Sequence, residues 1–203
     1  AAHASTPEIG NNAISRLLCF LRKVQFAPYD LCNTLHILAD TAGKDWDGTG
    51  LGIACGDHTG TLTNNLGILS YRNGMLSLKM NIRSPITAKP ERIAEQLSAA
   101  AEKAGMKCEM LNYNPHFYMP EDHPLIRLLT DVYREATGDL VSMPVAHGGG
   151  SYARILENFV PFGPSIKGEE LCFHKQDEFI TCERLLLLSK IYAEALYRLA
   201  CER

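Results

Sequence analysis

The chain has 203 residues, 46% of them hydrophobic and 21% charged, with 20 Lys and Arg against 23 Asp and Glu for a formal net charge of −3. That length holds one large or two small domains, and the scattered cations form no basic stripe of the kind a nucleic-acid partner selects. No apolar run approaches the ~20 residues needed to span a bilayer, and no signal or transit pattern opens the chain, so a membrane partner is not expected either. Seven cysteines are spread without any Cys-x-x-Cys pair, which speaks against structural zinc and for reduced thiols in a cytoplasmic protein. The start, Ala1-Ala2-His3, has no initiator Met and soon enters a helical pattern, so a piece of a longer protein is expected.

In chain order, Pro7 to Asn11 reads as a loop with Asn11 or Asn12 as N-cap of a first helix, whose stripe is Ile14, Leu17, Leu18 and Leu21. Leu31, Leu35 and Leu38 give a second helix over about 30–40. After a glycine-rich loop, Leu51 to Cys55 and Thr61 to Thr63 are expected as short strands. Asn73-Gly74 between two alternating segments predicts a type I′ hairpin, with strands at Leu66 to Tyr71 and Met75 to Ile82. Lys89-Pro90-Glu91 opens a third helix that runs towards Gly105, and Met106 to Leu111 reads as an edge strand.

The stretch Asn114 to Pro120 is the expected crossing into a second unit. There, a helix over Leu125 to Thr137, strands near Val141 to Val145 and Phe159 to Phe162, and a closing helix from Cys182 to Cys201 are predicted. So short a unit with so few strands is thin for an independent core and reads as half of an α/β domain.

Chemistry is suggested most strongly by His147-Gly148-Gly149-Gly150-Ser151. Three glycines allow close approach of backbone to a ligand, and a following helical turn offers N–H groups to an anion. His-Gly-Gly-Gly also resembles the oxyanion motif of esterases, but no Gly-x-Ser-x-Gly elbow follows it. His174, in a loop before the last helix, is taken alone an ordinary loop histidine, as is His3. Arg83, at the end of a predicted strand, would by default be a solvated cation. Asp57-His58 reads as a turn rather than a ligand pair. His116 and His123 flank the crossing and read as mainly structural, with the aromatic neighbours of His116 able to line a cleft.

Taken together, several segments resemble the dinuclear zinc aminoacylase and carnosinase-like metallopeptidase family, and most of all its bacterial Xaa-His dipeptidase (PepV-type) branch. They are His3-Ala4-Ser5-Thr6-Pro7-Glu8, Gly60 to Asn65, Met80-Asn81-Ile82-Arg83-Ser84-Pro85, Gly148 to Arg154, and His174-Lys175-Gln176-Asp177-Glu178-Phe179. The resemblance implies an α/β protein: a ferredoxin-like α+β lid over 1–114, possible surface for a homodimer, followed over 115–203 by the C-terminal portion of a zinc-exopeptidase catalytic domain. It implies that His3 donates to the oxyanion of the tetrahedral intermediate, that Arg83 binds the dipeptide carboxylate, and that Gly149, Gly150 and Ser151 complete that cradle. His174 would be the last ligand of a two-zinc site. The family's remaining ligands and its general base precede the lid and would belong to a missing N-terminal half. One His falls short of the about three protein ligands a catalytic zinc needs, so the chain by itself is expected to be inactive. His147 departs from the family's apolar residue at that place. The alternatives are a related N-acyl amino acid deacylase and a non-catalytic binding or oligomerisation module.

Overall fold

The structure, a computed structural model, describes residues 4–146, 148, 149, 151–156, 158–163, 165–168 and 176–201, with Arg154 described by its backbone only. The chain divides into two compact units, Ala1–His116 and Phe117–Arg203. Helices and small antiparallel sheets are mixed along it, the α/β class expected. None of the described helices is long and apolar enough to cross a membrane.

In the first unit α1 covers Ala13–Leu21 and α2 Tyr29–Asp40. Asn12 is the N-cap of α1: its Oδ1 accepts from Ile14 N at 2.9 Å and Ser15 N at 3.2 Å, relieving two of the unpaired amides of the first turn. Its Nδ2 donates to Leu66 O at 2.8 Å and Asn65 Oδ1 at 3.1 Å, so one side chain starts the helix and ties it to a strand. The two helices pack through Leu18, Leu35, Leu38 and Ala39, and Cys32 is buried beside them at 1% exposure.

Two residue pairs, β1 (Gly56–Asp57) and β2 (Gly60–Thr61), form a minimal hairpin. The long hairpin joins β3 (Thr63–Arg72) to β4 (Met75–Arg83). Its turn is the one predicted: Asn73 and Gly74 both have positive φ, at 52° and 78°, between the paired Arg72 and Met75. A register shift at Gly67 inserts one residue, so the inward set passes from Leu62, Asn64 and Leu66 before it to Leu69 after it. α3 runs Pro90–Lys103 with Pro in its first turn. It ends in a Schellman motif, where Gly105 at φ 69° lets its N–H reach Glu102 O and the Met106 N–H reach Ala101 O.

In the second unit α4 (Pro124–Thr137) packs on α5 (Cys182–Cys201) through Leu129, Val132, Ile191 and Ala195. Arg198 of α5 pairs with Glu135 of α4 and with Glu194 one turn back, which lowers the Glu135 carboxyl below its ordinary range.

Four predicted strands are not formed. Leu51 closes a 3-10 turn, Thr49–Leu51, because Gly48 and Gly52 both take positive φ; Leu51 and Ile53 are buried all the same. Residues 106–111 follow the Schellman turn without a ladder, and Met110 and Leu111 are exposed. Near 141–145, Asp139 Oδ1 accepts from Val141 N and Ser142 N, each at 3.1 Å, and so takes up amides that a ladder would have used. Over 159–162, Val160 and Phe162 do alternate onto the α4–α5 core, but no described strand pairs with them.

Candidate functional site

Arg83 is the last residue of β4 and is half-buried, and burial lowers the pKa of its guanidinium from the ordinary value. Arginine stays protonated despite such a shift. Its Nε donates to Asn81 Oδ1 at 3.1 Å, two residues back on the same face. Across the ladder from it stands Thr63, whose hydroxyl donates to Ala4 O at 3.3 Å. The backbone one residue beyond His3 is thereby held at the strand end that carries Arg83.

The segment leaving β4 is pinned by side chains. Ser84 Oγ and His116 Nε2 share a hydrogen bond of 3.1 Å, its direction set by the imidazole tautomer. Downstream, Thr59 Oγ1 accepts from Ile86 N at 3.3 Å and Asp57 Oδ2 from Thr87 N at 2.9 Å. Asp57 also closes its own turn, accepting from Thr59 Oγ1 at 2.6 Å and Thr59 N at 2.7 Å, as the turn reading of Asp57-His58 required. These bonds, the Thr59 hydroxyl first, hold the half-buried Asp57 carboxyl far below its ordinary range.

A lowered folded-state pKa means the ionised form is favoured on folding, so Asp57 stabilises the fold above the unfolded-state pKa of about 4. That contribution declines as the pH falls below about 4 and is lost on passing the folded-state pKa. Replacing Asp57 by Asn should therefore flatten the acid side of a plot of urea midpoint against pH. Parallel curves for the two proteins down to pH 3 would contradict this.

Gly149 and Ser151 share one loop of the second unit. Ser151 is the N-cap of a 3-10 turn, Tyr152–Ile155, and its Oγ accepts from Ala153 N at 3.2 Å. This is the helical turn foreseen after the glycines. His3, His147, Gly150 and His174 lie outside the described residues. Among the described residues no three His, Cys, Asp or Glu side chains gather as a metal site. Two clefts of the first unit, about 310 Å³ beside Trp46 and Thr61 and about 280 Å³ beside Thr87, Arg92 and Gln96, include neither Arg83 nor Ser84 in their walls.

Three features of this strand end were not read from the sequence: the Thr63 hydroxyl on Ala4, the Asp57 tie to Thr87 and the Ser84–His116 pair. Asp57-x-Thr59 has the spacing of a local Asx turn and could have been recognised as such; the other contacts join residues far apart in sequence and leave no local signature.

No protein-family model matches the chain. It is 35% identical over 206 positions to YtjP, a putative dipeptidase of Bacillus subtilis, with 98% of this chain and 42% of that protein covered. It is 34% identical over 204 positions to the Beta-Ala-Xaa dipeptidase of Lactobacillus delbrueckii subsp. lactis, with 98% and 42% covered. A putative dipeptidase of Staphylococcus aureus is 30% identical over 208 positions, with 100% and 43% covered. From end to end, then, the chain is similar to proteins named as dipeptidases, and it spans about two fifths of their length.

Proposed function

We propose that this chain forms the substrate-clamping part of a metal-dependent cytoplasmic dipeptidase. What carries the reading is the similarity along the whole chain to three proteins named as dipeptidases. The gathering of Arg83, Thr63 and Ala4 at one strand end supports it further. The name of one relative, Beta-Ala-Xaa dipeptidase, suggests a β-alanyl dipeptide as the substrate to try first.

In this reading Arg83 receives the substrate carboxylate. Its half-buried guanidinium keeps its charge in partly desolvated surroundings, where a charge-assisted bond is stronger than in water. Gly149, Gly150 and Ser151 are assigned to substrate binding as further donors, and His3 to the oxyanion as the peptide carbonyl becomes tetrahedral. His174 is assigned as one zinc ligand. The chain spans about two fifths of the length of these relatives, so the remaining ligands are assigned to the rest of the protein; one histidine falls short of the about three protein ligands a catalytic zinc needs, and the chain alone is assigned no activity. The first unit is also the proposed surface for a homodimer.

The full-length protein and the chain 1–203 should be assayed side by side on β-Ala-His and on an N-acetyl amino acid. Hydrolysis of the dipeptide by the full-length protein, its loss on chelation and return with Zn²⁺, and no turnover by the chain are expected. Dipeptide hydrolysis by the purified chain would overturn the division of labour, and turnover of the acetyl amino acid alone would favour a deacylase.

A further inference from the structure

We propose that His116 is a positioning residue for Arg83, acting through Ser84; this inference rests on the reading of Arg83 as the carboxylate clamp. Arg83 ends β4, so beyond it no ladder bond fixes the chain. Ser84 is the next residue, and its hydroxyl is hydrogen-bonded to His116 Nε2 at 3.1 Å, across 32 residues of sequence. The Asp57 and Thr59 bonds act further on, at Ile86 and Thr87. The Ser84–His116 bond therefore restrains the peptide unit next to the clamp, and the other two restrain where the chain goes afterwards.

The bond is unlike one made to hold the fold together. His116 is exposed, is the last residue of the first unit and follows a stretch without regular structure. Water can replace an exposed hydrogen bond at little loss to stability, yet only the fixed bond sets the orientation of the backbone from which the guanidinium projects. A charge-assisted bond from guanidinium to carboxylate depends on its geometry, so a misdirected Arg83 binds the substrate carboxylate less tightly.

The test uses the full-length protein with β-Ala-His and, as a control, the same dipeptide with its carboxylate replaced by a carboxamide. Replacing His116 by Ala should raise KM for the dipeptide about fivefold, the loss of roughly one oriented hydrogen bond. The kcat should stay within about twofold, and the carboxamide kinetics should not move. Ser84→Ala should match it, the double variant should be no worse than either, and His116→Gln, whose side-chain amide can restore the bond, should recover most of the affinity. If Arg83→Ala raises KM but His116→Ala and Ser84→Ala do not, the positioning role is refuted while the clamp stands. If Arg83→Ala itself leaves KM unchanged, the clamp reading fails and this inference with it. Equal losses on dipeptide and carboxamide would show a general structural effect and also refute it.

Discussion

Leu18→Ala should lower the unfolding free energy of the first unit by about 2–5 kcal/mol, the range for emptying a fully buried leucine site. Leu18 has 0% exposure and lies where α1 meets α2. Its Cδ1 is only 2.9 Å from where a Cβ on Gly43 would stand, so the backbone after α2 is drawn close against it. Neighbours held on three sides by α1, α2 and the 43–53 loop cannot collapse far into the vacated volume, which puts the loss in the upper part of that range. With a urea dependence of roughly 1–3 kcal/mol per molar, the midpoint should fall by at least about 1 M. Leu17 and Phe20, on the same helix but 46% and 63% exposed, provide the contrast: alanine at either should shift the midpoint little. A Leu18 variant no less stable than the Leu17 variant would show that the α1–α2 contact is not the centre of the unit.

Arg83→Ala in the full-length protein should lose about 2–5 kcal/mol of substrate binding, roughly 30-fold to more than 1,000-fold in kcat/KM. The wide range reflects how much of the partly desolvated carboxylate would be left without a partner. Arg83→Lys keeps the charge but not the planar fork, and should fall between Ala and the parent. The informative comparison is again the carboxamide: with no anion to bind, it should be equally poor with either residue. An Arg83→Ala enzyme that still prefers the carboxylate by the original margin would move the clamp elsewhere.

How far the sequence could be read depended on whether a feature is local. Helix periodicity, the Asn12 cap and the Asn73-Gly74 turn are fixed by residues within a few positions of one another, and each is found at its predicted place. Strands are different, because alternation specifies only a willingness to pair. Residues 106–111 have the alternation and lack the partner, while the Asp139 side chain bonds the amides that open the predicted 141–145 strand. The same holds at the site. Arg83 at a strand end and Ser151 before a helical turn could be placed from their immediate neighbours. The Thr63–Ala4, Ser84–His116 and Asp57–Thr87 bonds span 59, 32 and 30 residues, and only the folded chain brings them together.

The burial of Cys32 has a practical consequence. The other described thiols, Cys19, Cys55, Cys108, Cys182 and Cys201, are open to solvent, whereas Cys32 is enclosed, with Val24 O and Gln25 Oε1 each 3.6 Å from its sulfur. With the remaining cysteines changed to serine, an alkylating reagent can reach this one sulfur only when the segment at Val24 and Gln25 lifts from α2. The rate of labelling would then count those openings directly, giving a chemical clock for the segment that joins α1 to α2.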